Sequence, residues 1–476
     1  MPIDMFPDDV LLEIFHFHVN QPWNKYEDEE DQMRAWQSLV HVCRRWRSVV
    51  FGSPRRLKLR LVYKANNHSR DTVDVWPALP LVIRGFDNDT GCSENFVALL
   101  ECSDLVRRIS RIDLWSFSSS RLEDISEAMQ VPFPELTYLN LHHYDLTKPV
   151  LPLSDSFLGG SAPRLRSLDL NHIPYPGLPK LLLSATHLTS LHLDRIPHSG
   201  YIPPEAMVAC LSTLTSLEWL SLGFQSPPPR SDWGSRRPLP QTRTVLPVLY
   251  YFMFKGVCEY LEYLVARIDA PRLRRLNITL FNDIVFDTPQ LIRFISHTPT
   301  FEAFDKASVV FWDHAARITL SRAHKLPNEM FRVGISCTEL DWQLSFLEQV
   351  CTSSLPPLST LEDLYMEGPQ GRPWPQLEDW KGTIDYAQWL ELLHPFTAVK
   401  NLYLSKDLAP CVVPALQELV AGRTAEVFPN LQNIFLEELQ ESGPVQEGIG
   451  KFVATRQVTS HPITVSRWDR WGMDTR

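Results

Sequence analysis

The feature that most constrains this chain is a six-residue phrase, L-x-x-L-x-L, that returns many times after residue 105. It runs through VRRISRIDL (106–114), PELTYLNL (134–141), PRLRSLDL (163–170), THLTSLHL (186–193), TSLEWLSL (215–222), PVLYYFMF (247–254) and PRLRRLNI (271–278). It returns in STLEDLYM (359–366), TAVKNLYL (397–404) and PNLQNIFL (429–436). Between the first apolar anchors Ile109, Leu136, Leu165, Leu188, Leu217, Leu249 and Leu273, the spacings are 27, 29, 23, 29, 32 and 24 residues. From Leu361 through Val399 to Leu431 they are 38 and 32. L-x-L is a strand of period two whose leucines enter a core, and the preceding leucine anchors the turn into it. The remaining ~15–20 residues of each unit return by helix or irregular chain, so the strands stack in parallel and the fold class is α/β.

The motif and its period resemble the leucine-rich repeat. That resemblance implies a curved, irregular solenoid over residues 106–476, with parallel strands on a concave face and helices or loops on the convex one. Between residues 279 and 358 the motif degrades, and FEAFDKASVVF and FRVGISCTELDW read as two worn copies that keep alternating apolar positions. An array of this kind has open ends. ITVSRWDRW (463–471) alternates before Arg467 and is the candidate strand to close one of them. Two inserts, SPPPRSDWGSRRPLPQTRT (226–244) and GPQGRPWPQLEDWKG (368–382), read as solvated loops between repeats. The x positions of the motif face away from the leucines. They supply candidate substrate-binding residues Trp115, Tyr138, Asp169, His192, Trp219, Tyr251, Arg275, Tyr365, Tyr403 and Phe435. Aromatic side chains interspersed with polar ones are what protein interfaces favour.

The first 60 residues follow a different pattern. In MFPDDVLLEIF (5–15), Pro7 blocks an upstream helix, Asp8 is an N-cap and Asp9 complements the helix dipole. Val10, Leu11, Ile14 and Phe15 then share a helical face. MRAWQSLVHVCRRWRSVVF forms a second amphipathic stretch, stopped by Gly52, Ser53 and Pro54, and RRLKLRLVY alternates as a short strand does. Residues 61–105 read as a connecting and capping segment.

FPDDVLLEIF followed by LVHVCRRWRSVVFGSPRRLKL resembles the F-box, and an F-box followed by leucine-rich repeats resembles a large fungal family. The loop between Phe15 and Met33 is longer than in a compact F-box. Arg55-Arg56-Leu57 stands where many members carry Pro-x-Leu-Trp. The resemblance implies that residues 1–60 dock onto the Skp-type adaptor of a cullin–RING ubiquitin ligase while the repeats hold a protein substrate. Carried over by position, the adaptor contact comprises Phe6, Pro7, Leu11, Leu12, Ile14 and Phe15, then Val42, Cys43 and Trp46. Leu11, Leu12 and Phe15 form the expected docking face. The chain would then be a non-catalytic recognition subunit; the alternative is a repeat scaffold unconnected with ubiquitination.

Other classes find little support. Lys and Arg number 46 against 56 Asp and Glu, a net charge of −10, and no basic run suggests nucleic acid. The eight cysteines form no C-x-x-C and read as core residues of a reducing compartment, cytoplasmic or nuclear. The acidic MPIDMFPDD is unlike a signal peptide, and no apolar run approaches the ~18–20 residues of a membrane span. His16 and His18 lie about 200° apart on a helix, and His142-His143 has no third ligand near in sequence, so no metal is expected. GIGK (448–451) is not a phosphate loop, no G-x-S-x-G occurs, and no cofactor is expected.

Overall fold

One turn opens most repeats. The anchor N–H donates to the carbonyl three residues earlier at Leu136, Leu165, Leu188, Leu217, Leu249, Leu273, Leu361 and Leu431, over 3.0–3.3 Å. In five of these turns the second residue is proline: Pro134, Pro163, Pro247, Pro271 and Pro429. Proline's fixed φ suits that position, and its missing N–H is not needed there. Past the anchor, the first strand N–H bonds into the preceding unit, as Thr137 does to Ser110 O (2.9 Å) and Arg166 to Thr137 O (2.8 Å). All ten anchors, Ile109 and Val399 included, are buried.

The computed structural model describes residues 6–20, 29–64, 73, 76–86, 92–145, 150–227, 243–281, 286–322, 329–353, 358–368, 386–418, 427–438, 443–459 and 462–469. The chain forms two units, Met1–Ala206 and Met207–Arg476. The inserts 226–244 and 368–382 lie almost wholly outside the described residues.

The first unit opens with three helices, α1 (Asp8–Val19), α2 (Glu29–Val40) and α3 (Arg44–Gly52). They pack around Phe15, whose ring lies 4.7 Å from that of Trp46. Trp36 is fully buried and donates to Arg60 O at 3.1 Å, and Val62 N donates to Met33 S at 3.1 Å, which ties α2 to β1 (Leu61–Lys64). Next come β2 (Leu81–Phe86), α4 (Cys92–Leu100), α5 (Ser103–Val106), β3 (Ile109–Phe117) and α6 (Ser119–Ala128). β4 (Tyr138–His143), β5 (Ser167–Asn171), α7 (Leu178–Ser184) and β6 (Ser190–Ile196) complete the unit's sheet, in the order β1-β2-β3-β4-β5-β6 with parallel pairing. The parallel ladder therefore begins ahead of the first L-x-x-L-x-L. In register, Leu139, Leu168 and Leu191 form one buried row and Leu141, Leu170 and Leu193 another. Helix α8 (Pro204–Leu211) crosses the division point.

The second unit carries β7 (Trp219–Phe224), β8 (Thr244–Val245), β9 (Tyr251–Gly256), α9 (Cys258–Val265), β10 (Ile268–Asp269), β11 (Arg275–Phe281) and α10 (Pro289–Ser296). β12 (Lys306–Trp312), β13 (Ala315–Ser321), β14 (Met330–Ser336), α11 (Leu340–Thr352) and β15 (Asp363–Glu367) follow. The remainder is α12 (Tyr386–Leu393), β16 (Asn401–Leu404), α13 (Ala409–Glu418), β17 (Asn433–Leu436), α14 (Pro444–Thr459) and β18 (Thr464–Arg467). The sheet order is β7-β9-β11-β14-β13-β12-β15-β16-β17-β18, and β8 pairs separately with β10. β18 falls within 463–471, where the sequence offers a strand: it pairs in parallel with β17, and its four residues are exposed.

The worn stretch departs from two consecutive copies. FEAFDKASVVF and FRVGISCTELDW do supply β12 and β14, but β13 lies between them and is antiparallel to both. Trp312 pairs with Ala315 across the two-residue turn Asp313-His314, so β12 and β13 form a hairpin. β14 then returns beside β11, and β12 lies next to β15. Gly334 permits this arrangement, because a Cβ there would stand 2.6 Å from the Ala316 carbonyl oxygen.

The shared turn makes a stability prediction. Thr186 occupies the proline position of the Ala185–Leu188 turn and is exposed, and Ala185 (φ −93°, ψ 51°) lies outside the helical region that a following proline forbids. Thr186→Pro is expected to stabilise the protein by about 0.4–1 kcal/mol. An upward shift of the urea midpoint at unchanged slope is the expected result.

Candidate interaction surfaces

Helix α1 has two apolar stripes with different fates. Leu11, Phe15 and Val19, at i, i+4 and i+8, are buried between the helices, the first two at 0% exposure. Val10, Ile14 and Phe17, at i, i+4 and i+7, are 37%, 40% and 66% exposed. Val42 is 58% exposed in the turn before α3. That turn is held near the start of α1, since Arg45 donates to Phe6 O (2.6 Å) and to Asp8 Oδ1 (2.7 Å). Arg56 pairs with Glu13 of α1.

The nine adaptor residues expected from the sequence therefore divide. Leu11, Phe15 and Trp46 are core residues of the helical unit, which corrects the docking face assigned to Leu11 and Phe15. Pro7, Ile14 and Val42 are exposed, and Phe6, Leu12 and Cys43 are half-buried. Cys43 has a local task as well: its sulfur accepts from Trp46 N at 3.5 Å and caps α3. Phe17 is the residue that sequence reasoning passed over. Its signal was present in the i, i+4, i+7 spacing from Val10, masked by the equally apolar Leu11–Phe15–Val19 stripe.

The x positions do alternate with the buried leucines, as in β9 and β11. In the first unit, Tyr138 lies under the Arg111 guanidinium (3.7 Å to the ring centroid) and Trp115 packs on His142 (4.0 Å). His142 Nε2 reaches Asp169 at 3.4 Å, and Asp169 is in register with His192. Burial holds the His192 imidazole below its ordinary pKa against the pull of Asp169 and Asp194, with His142 adding to the depression. Asn140 donates to Asp113 at 2.9 Å and Asn171 to Asp194 at 3.3 Å, so neighbours serve the aspartates of this face.

In the second unit the candidates fall into two clusters. Trp219, Tyr251 and Arg275 share one register row, with the Trp219 and Tyr251 rings stacked at 3.9 Å. Tyr365, Tyr403 and Phe435 form a second ladder, stacked at 4.2 and 4.5 Å with interplanar angles of 8° and 9°. Trp468 lies across that ladder, 5.8 Å from Tyr365 and 5.5 Å from Tyr403, and Tyr365 is buried. Burial raises the pKa of both tyrosine hydroxyls. β14, β13 and β12 separate the two clusters in the sheet order.

Among the described residues no group of three His, Cys, Asp or Glu side chains is arranged to hold a metal ion, and no helix is long and apolar enough to cross a membrane. The seven cysteines with described side chains are all unbridged. Burial raises the thiols of Cys210 (to about 11) and Cys351 above the ordinary value.

The two stripes of α1 are separable by mutation. Phe15→Ala should cost about 3–5 kcal/mol of unfolding free energy. Phe17→Ser should stay within about 0.5 kcal/mol of the parent. Urea titration of both variants provides the measurement.

No protein-family model matches the chain, and no curated protein sequence matches it. Among solved structures, the leucine-rich repeat-containing protein LegL7 from Legionella pneumophila matches over 82% of this chain and 97% of that one. The two are 14% identical and the TM-score is 0.27.

Proposed function

We propose that this protein is a non-catalytic substrate-recognition subunit of an SCF-type ubiquitin ligase. The N-terminal helices take a Skp-type adaptor, and through it a cullin–RING ligase, while the repeat strands take a protein substrate. The observation that carries the reading is the exposed stripe Val10–Ile14–Phe17 of α1. Those side chains sit on a helix whose other stripe is already sealed in the core. Adjoining apolar side chains left to water on so short a helical unit mark a protein contact. The F-box resemblance of residues 6–57 names which contact.

The chemistry asked of such a subunit is proximity. Holding a substrate lysine near an activated ubiquitin raises its effective concentration and converts a bimolecular encounter into a local one. No nucleophile, metal or cofactor of its own is required, and neither nucleic acid nor membrane enters the scheme. The reducing environment expected from the cysteines, cytoplasmic or nuclear, suits it.

Co-expression with a Skp-type adaptor tests the reading. The parent chain is expected to co-purify with the adaptor. Ile14→Asp and Phe17→Asp should each weaken the complex by about tenfold or more, since each places a charge against an apolar contact. Their unfolding midpoints should stay at the parental value. Absence of co-purification, or equal binding by both variants, would leave a repeat scaffold unconnected with ubiquitination.

A further inference from the structure

Five neighbouring strands of the second unit, β7, β9, β11, β14 and β13, present Lys255, Arg275, Arg332 and Arg317 at their outward positions. None of those outward positions is aspartate or glutamate. This occurs in a chain whose net charge is −10. The cations step across the sheet: Arg275 begins β11, Arg332 pairs in register with Asn277, and Arg317 pairs with Gly334.

Among the described residues, neither Arg332 nor Arg317 has a hydrogen bond or ion pair to a carboxylate. Arg332 donates to Thr319 Oγ1 at 3.3 Å and reaches Met330 Sδ at 3.2 Å. Arg317 lies over the Trp312 ring at 4.5 Å, and its buried Nε has no hydrogen-bond partner. Burial holds Arg332 below the ordinary guanidinium value against the pull of Tyr251, with Arg275 adding repulsion. Burial likewise pushes Arg317 down to about 10, Arg332 adding to the effect and Glu367 opposing it. A charge that is half desolvated and repelled by its neighbours gains most from an incoming anion. Where the strands begin, a cleft of about 710 Å³ opens between Trp219, Val248, Tyr250, Arg272, Arg274 and Arg275. Its aromatic wall is the Trp219 ring, with Tyr250 edge-on at 5.5 Å.

The spacing selects among anions. From β9 to β13 the cations spread over three interstrand steps, about 14 Å. One phosphoryl group cannot bridge that distance. An extended peptide covers it in about five residues, with carboxylates at alternate positions facing the sheet. A nucleic acid would bring many more charges than this patch neutralises, against an acidic protein.

We propose that this face binds an acidic segment of a partner protein, an extended run with carboxylates at alternate residues and an apolar or aromatic residue seated in the Trp219 cleft. The proposal rests on the strands being the substrate-binding surface and is independent of the adaptor.

Fluorescence anisotropy on the full chain tests it, with a fluorescein-labelled alternating glutamate–serine decapeptide ending in phenylalanine as probe. Binding that weakens steeply with salt is expected. Arg317→Gln and Arg332→Gln should each reduce affinity about tenfold. The exposed pair Arg272→Gln and Arg274→Gln serves as a second probe of the cleft should the sheet variants fold poorly, and is expected to reduce affinity as well. The proposal is overturned if the peptide does not bind, or if these arginine variants bind it as the parent does. Tighter binding of a glutamate-free phosphoserine peptide, or of a single-stranded oligonucleotide of equal charge, overturns it too. Phe17→Asp should leave peptide affinity unchanged, and a parent chain that binds the peptide without co-purifying with the adaptor defeats the ligase reading alone.

Discussion

The hydrogen bond from the anchor residue's N–H to the carbonyl three residues earlier is the interaction on which the described surfaces depend. It turns the chain into each strand at the same phase, so the next two motif leucines enter the core and the residues between them face outward. A slip of one residue would exchange the two faces. Proline at the second turn position lowers the entropy cost of reaching that phase, and five of the eight turns use it. The high proline count, 38 against 19 glycines, follows in part from this recurring local need.

Where the phase is lost, the sheet changes character. The hairpin β12–β13 replaces a helical return with a two-residue turn, and β13 runs against its neighbours. Gly334 lets the β13 backbone approach closely at the point where Arg317 crosses it. The insertion thus separates Trp219–Tyr251 from the Tyr365–Tyr403–Phe435 ladder and brings two desolvated arginines onto the surface between them.

Much of this was legible in the residues. The ten anchors, the parallel strands they begin, the outward x positions and the strand at 464–467 all follow from period-two alternation and its repeat. Three things did not. β2 lacks the L-x-x-L-x-L phrase although it pairs on both sides, and RRLKLRLVY, which alternates over residues 55–63, forms a strand only at its end, where β1 (Leu61–Lys64) meets β2 and is tied to α2. The order of β12, β13 and β14 is a matter of pairing partners, and alternation is the same in parallel and antiparallel strands. The two stripes of α1 are equally apolar, so helical periodicity could not say that Phe15 meets Trp46 while Phe17 meets water. Arg317 and Arg332 were invisible for the second reason: a lone arginine in a strand carries no signal until its neighbours are known.

The outward aspartates of the first unit and the arginines Arg317 and Arg332 of the second differ in one physical respect, whether their charges are already met. In the first unit Asp113 accepts from Asn140 and from Trp115 Nε1, Asp169 lies beside His142, and Asp194 accepts from Asn171. A ligand there would have to break these contacts and leave half-buried acceptors to find new partners. In the second unit Arg317 and Arg332 have no hydrogen-bonded carboxylate to surrender among the described residues, and an incoming one offsets both their desolvation and their mutual repulsion. The helix α1 stripe is different again, since Val10, Ile14 and Phe17 gain by leaving water, a gain that mobile ions do not screen. An apolar contact that ignores salt and a charged one that does not would let one chain keep a permanent partner while exchanging a transient one.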